Sequence, residues 1–146
     1  MVADKKVHLQ IITPTGVKVD EHADMIIMRA TTGDMGIMPG HEPYSAILDV
    51  GVLRLLDNDI ERRMAIFGGM FEVNNDKVTL ITSLAELPEE IDRPRAEADL
   101  AWAEKRIQEG KDDVEIQSGH VRFRRSMVRI EVSSYPIISS KSKDGD

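Results

Sequence analysis

Apolar residues recur at every second position in short runs over roughly the first ninety residues, and at every third or fourth position after that. Val7, Leu9 and Ile11 alternate with His8, Gln10 and Ile12 and stop at Thr13-Pro14-Thr15-Gly16, a strand and its turn. Val17 to Asp20 reads as a second short strand, and Met25 to Thr31 as a buried strand apolar on both faces. From Gly33 to Tyr44, glycines and prolines crowd together and predict a long loop. Val52 to Leu56 and Ile60 to Phe67 predict two strands around Asp57-Asn58-Asp59. Phe71 to Val73 and Val78 to Thr82 predict another pair around Asn74-Asn75-Asp76-Lys77. Many short strands so spaced indicate a β-sandwich or barrel.

The period changes at Glu86-Leu87-Pro88-Glu89-Glu90-Ile91-Asp92-Arg93-Pro94-Arg95-Ala96. Asp92 can cap a helix by accepting from its first free N–H groups, and Pro94 fits only in a first turn, where no intrahelical N–H is lost. On a wheel of about 100° per residue, Ala96, Leu100, Ala103 and Ile107 fall within about 60°, one apolar stripe. Gly110 stops that helix, and Asp112 or Asp113 can cap a second. The second segment also alternates like a strand at Val121/Phe123 and Val128/Ile130/Val132, so periodicity alone leaves it open. Read as a helix, it is apolar on two sides, with Val121, Val128 and Val132 on one and Phe123, Met127 and Ile130 on the other. The expected division is a sandwich over 1–88, helices over 89–133 and a loose polar tail over 134–146.

Composition narrows the function. The 146 residues include no cysteine, which excludes disulfides and thiolate metal sites. The start, Met1-Val2-Ala3-Asp4-Lys5-Lys6, is followed by no signal-like apolar stretch, and the longest apolar runs, such as Met25 to Met28, are far too short to span a membrane. A soluble, cytoplasmic protein is expected. The net charge is −7. All of it lies before residue 91, and inside the neutral remainder His120 to Arg129 carries Arg122, Arg124, Arg125 and Arg129 with no acid. An acidic chain with one basic patch argues against nucleic-acid binding and suits docking to a specific anion or anionic surface.

Catalytic and metal chemistry find little support. The glycine loop lacks a following Gly-Lys-Ser/Thr, and Pro39 and Pro43 block the helix that a phosphate cradle needs. Asp57, Asp59 and Glu61 faintly resemble a calcium loop, but Arg62 stands where its glycine belongs. His8, His22, His41 and His120 show no metal-ligand spacing. No nucleophile elbow is present. Six aromatic residues leave few platforms for carbohydrate stacking. The arginines carry more: Arg95 and Arg106 share a face with Asp99 and Trp102, and Arg122, Arg125 and Arg129 share one on the second segment. In an antiparallel helical hairpin these stripes converge on one spot suited to phosphate oxygens. The alternative is a solvated charged face with local pairs such as Arg95–Asp99.

Gly36-Ile37-Met38-Pro39-Gly40-His41-Glu42-Pro43, Gly68-Gly69-Met70-Phe71-Glu72-Val73 and Arg125-Ser126-Met127-Val128-Arg129-Ile130 resemble the ε subunit of bacterial F-type ATP synthase. The resemblance runs in order over about residues 5–132. It implies an all-β N-terminal β-sandwich plus a C-terminal antiparallel α-helical hairpin, and so makes the ambiguous segment a helix. It implies a non-catalytic rotor subunit needing no cofactor, peripheral to the cytoplasmic face of the membrane. Its partners would be the γ subunit and the c-ring, and the α/β catalytic head when the hairpin extends to block ATP hydrolysis. Arg122, Arg124, Arg125 and Arg129 would then meet an acidic segment of the β subunit.

Some members of that family bind regulatory ATP through Ile/Leu-Asp-any-any-Arg-Ala, which Ile91-Asp92-Arg93-Pro94-Arg95-Ala96 fits. The resemblance assigns Arg95, Arg125 and Arg129 to the phosphates, and Glu86, Ile91, Asp92 and Ala96 to the nucleoside. Two residues depart from the pattern. Trp102 stands where ATP-binding relatives often carry another arginine, and Pro94 is unusual within the motif. A free-standing ATP-sensing module built on the same arginines is the alternative reading.

Overall fold

In a computed structural model, residues 5–134 and the backbone of 138–139 are described. Among the described residues, nine strands precede and follow two α-helices: β1 (Val7–Thr13), β2 (Gly16–Ala23), β3 (Met25–Ala30), β4 (Gly33–Ile37), β5 (Tyr44–Asp57), β6 (Ile60–Asn74), β7 (Lys77–Ile81), β8 (Ala85–Glu86), α1 (Arg93–Glu109), α2 (Asp113–Ser133) and β9 (Ile138–Ser139). The strands hydrogen-bond in the order β2-β1-β7-β6-β5-β3-β4, with β8 and β9 also paired to β6. They form the expected sandwich, and the helical hairpin follows it. β1 runs parallel to β7, while the other pairings are antiparallel.

Alternation sets the core. Val7, Leu9 and Ile11 of β1, Ile26 and Met28 of β3, Leu53 and Leu55 of β5, and Val78 and Leu80 of β7 are buried, as period-2 spacing directs. Phe71 on β6 is the largest fully buried side chain. β3 is sealed on one face only: Arg29 on the other is exposed. Asn58-Asp59 and Asn75-Asp76 all have positive φ, the two-residue turns that match strand twist. Asn and Asp tolerate that conformation because their short side chains bond locally.

Two further expectations change. Gly33–Ile37 of the supposed loop is strand β4, and the loop shrinks to the stretch before Tyr44. The two strands expected over Ile60 to Phe67 and Phe71 to Val73 are one, β6, which passes through Gly68 (φ 82) and Gly69 (φ 127). A Cβ on Gly69 would collide with the Ile81 carbonyl, so these glycines let β6 kink past its neighbour without ending.

In the middle of β6, Met64, Ala65, Ile66 and Phe67 are buried in succession. Met64 and Ile66 face the sandwich core, whereas Ala65 and Phe67 meet Val128 and Val132 of α2. The hairpin thus docks on the outer face of β6. Of the other apolar residues on α2, Val121 and Met127 remain exposed, so each expected apolar side is only partly covered. Among the residues expected in a loose tail, Ser134 follows α2, Ile138–Ser139 forms a rung with Ile60 and Glu61, and the rest lie outside the described residues.

Candidate anion-binding cleft at the sandwich–hairpin junction

The site is assembled from four short pieces of chain. β8 pairs with β6 through Ala65 and Glu86, which fixes Glu86 beside the docking face. The 3-10 turn Pro88–Glu90 follows. Within it Leu87 N–H donates to Glu90 Oε1 at 2.8 Å, and Lys18 Nζ donates to Oε2 at 2.9 Å. These bonds, the backbone one foremost, hold the Glu90 carboxyl below the usual carboxylate range. Asp92 then caps α1, its Oδ1 accepting from Arg95 N–H at 3.1 Å, and Pro94 occupies the first turn as expected.

The two helices close on each other through small residues. Ala103 is fully buried, and a Cβ on Gly119 would press Ile107, Ala103 and Arg106. Gly110 ends α1 with φ −62, an ordinary conformation rather than a left-handed cap. Glycine is required there by proximity, since a Cβ would strike the Arg106 carbonyl and Ile116. Asp112 caps α2 by accepting from Glu115 N–H at 2.8 Å.

A cleft of about 600 Å³ opens at this junction. Glu86, Ile91, Asp92, Arg95 and Ala96 line it from the sandwich side and α1, and Arg125 and Arg129 from α2. These are the seven residues that the family resemblance assigned to one ligand. Arg122 also lines the cleft, with Glu90, Asp99, Ser118 and Val121. Helical spacing could have found Ser118 and Val121, each one turn before Arg122 and Arg125. Nothing local signals Glu90 or Phe67, over whose ring Arg129 lies at 4.6 Å and Arg125 at 5.8 Å.

The arginines fall into two groups. Arg129 forks onto Glu86, Nε to Oε1 at 2.8 Å and Nη2 to Oε2 at 3.2 Å. Arg95, Arg122 and Arg125 make no ion pair among the described residues, and the suggested Arg95–Asp99 pair does not form. Three guanidinium groups without a carboxylate partner, set around one concavity, can donate to the oxygens of an anion. Arg124 is elsewhere: it points to the other flank of α2 and meets Asp49 at 3.3 Å. Among the described residues, no group of three or more His, Cys, Asp or Glu side chains is placed to hold a metal ion, and the calcium-like Asp57 and Glu61 are tied instead to Lys6 and to Arg54 and Arg63.

This is a sandwich-and-hairpin protein with an arginine-lined cleft at the joint. Residues 6–88 match the family model of the ATP synthase Delta/Epsilon chain beta-sandwich domain, and residues 89–134 that of its long alpha-helix domain. The epsilon chains of Bacillus velezensis and Bacillus subtilis are each 37% identical over 129 residues, 88% of this chain and 98% of theirs. That of Alkalihalophilus pseudofirmus is 39% identical over 107 residues, 73% of this chain and 80% of its own. The chain belongs to the ATP synthase delta/epsilon family, as an epsilon subunit of the bacterial F-type enzyme. A chain of the Euglena gracilis mitochondrial ATP synthase shares the fold with a TM-score of 0.77 at 23% identity, covering 89% of this chain and 82% of that one. A chain of the Tetrahymena thermophila central stalk and c-ring shares it at 0.59 and 13%, covering 88% and 97%.

Proposed function

We propose that this chain is a non-catalytic rotor subunit that couples proton flow to ATP synthesis, restrains ATP hydrolysis through its hairpin, and binds ATP as a regulatory ligand in the junction cleft. The observation that carries the ligand reading is the convergence of the seven residues that the resemblance assigned, with Arg95 and Arg125 in no ion pair among the described residues, on one concavity. Phosphate oxygens complete those guanidinium groups, while Glu86, Ile91, Asp92 and Ala96 frame the nucleoside. The relatives named above are ATP synthase epsilon chains, which supports γ, the c-ring and the α/β head as partners. An exposed apolar patch of Ile47, Met70 and Ile81 on the sandwich gives such a partner a surface. Among the described residues no helix is long and apolar enough to cross a membrane.

Docking engages two of the four helix arginines expected to inhibit hydrolysis, Arg124 on Asp49 and Arg129 on Glu86. Release of the hairpin frees them for an acidic segment of the head. The cleft is built from both the hairpin and its junction with the sandwich, so ATP favours the docked state by mass action. Calorimetric titration of the isolated chain with ATP tests this. Arg95→Ala or Arg125→Ala is expected to weaken binding roughly tenfold or more. Unchanged titrations would remove the nucleotide site.

A further inference from the structure

Resting on the nucleotide reading of the cleft, the geometry points to Arg122 as a further phosphate-binding residue, held in position by the face of Trp102. Two guanidinium groups lie over the Trp102 ring, Arg122 at 4.2 Å from its centroid and Arg106 at 4.7 Å. Their situations differ. Arg106 also donates to Glu115 at 3.3 Å, so part of its donor edge and its charge are already engaged. Arg122 has the ring alone: it makes no ion pair among the described residues, and it lines the cleft.

That difference has a chemical meaning. A carboxylate holds an arginine through its in-plane N–H groups and consumes them. An aromatic ring holds it by its flat face, attracted to the ring quadrupole, and leaves the donor edge open. Trp102 therefore restrains the long Arg122 side chain while preserving both its charge and its donors. Arg125 lies over the Phe67 ring in the same way, at 5.8 Å from its centroid. The indole comes from α1 and the guanidinium from α2, so closing the hairpin is what places Arg122.

Trp102 acts here as a positioning residue, and the chain's single tryptophan also reports on the contact. Calorimetry with ATP on the full chain, with thermal unfolding as a folding check, separates the roles. Arg122→Gln, at an exposed position, is expected to weaken ATP binding about tenfold without lowering the melting temperature. Trp102→Ala is expected to weaken it about threefold, and Trp102→Phe to restore most of that. In an Arg122→Gln background, Trp102→Ala should cost nothing more. ATP should change Trp102 emission in the unaltered chain, and saturating ATP should not do so in Arg122→Gln. Full affinity in Arg122→Gln, or an undiminished Trp102→Ala effect in that background, overturns the inference. If Arg125→Ala abolishes binding while Arg122→Gln does not alter it, this inference alone falls. If the unaltered chain takes up no ATP, the cleft reading falls and this one with it.

Discussion

The sandwich and the hairpin are stabilised in different ways. The sandwich encloses a continuous core of long apolar side chains, including Phe71, Leu9, Ile11, Ile26 and Leu53, contributed by strands far apart in sequence. The hairpin rests on it through a small apolar centre of Val128 and Val132 against Ala65 and Phe67, with Val50, Val52 and Ile91 at its margin. Around that centre, Arg63 meets Glu131 at 3.0 Å, Arg124 meets Asp49 and Arg129 meets Glu86. Burying two valines is worth about 1.5–3 kcal/mol each, and solvent-exposed pairs add roughly 0–1 kcal/mol each. Docking is therefore a matter of a few kcal/mol, against a core that holds the fold. That is the range in which a ligand or a partner can move an equilibrium. The lesson is that permanence and release are assigned to separate surfaces of one chain.

The sharpest way to break this contrast is to attack the sandwich itself. Gly69→Ala forces a side chain into the left-handed region and against the Ile81 carbonyl, and is expected to destabilise the sandwich by about 3 kcal/mol or more in urea unfolding. Val132→Asp attacks the other surface. A carboxylate at this fully buried position should undock the hairpin at a cost of about 3 kcal/mol, abolish the ATP binding proposed for the cleft and speed proteolysis of 91–133, yet leave the sandwich transition in place. Loss of both transitions together would show that the two surfaces are one.

Acid should weaken the contrast by a smaller amount. Glu61 accepts from Arg54 and Arg63, and the Arg54 hydrogen bond above all lowers its carboxyl to about 2. Arg63 in turn holds Glu131 on α2. Because the folded carboxyl titrates below the unfolded one, its contribution is complete above about pH 4.5 and is lost as pH falls toward 2. Allowing for solvent screening, Glu61→Gln should remove about 1–2 kcal/mol at pH 7 and flatten the loss between pH 4.5 and 2 in denaturant titrations. The smallest change is a gain. Ser126 Oγ is buried without a hydrogen-bond partner, so Ser126→Ala should stabilise the hairpin by about 1 kcal/mol, read from the same unfolding curves.

What could be read from the sequence was what depends on near neighbours. Alternation placed the core residues of β1, the Asn and Asp pairs placed both tight turns, and Asp92 announced the start of α1, while Asp112 or Asp113 offered a cap for a second segment that periodicity left open. β4 escaped notice because Gly33 and Gly36 carry no side chain to alternate. β6 was divided in two because Gly68-Gly69 reads as a break, whereas the strand kinks there and continues. At the cleft, the short motif from Ile91 to Ala96 could be read directly. The Arg129–Glu86 fork and the rings beneath the arginines could not, since they join segments that only the tertiary fold brings together.

The middle of β6 has no side turned to water, and this makes its four consecutive residues a pair of independent dials. Changes at Met64 or Ile66 set how firmly the foot keeps its shape. Changes at Ala65 or Phe67 set how readily the arm lets go. Substitution can therefore retune sandwich stability and hairpin docking separately, one residue at a time, by choosing odd or even positions along a single strand.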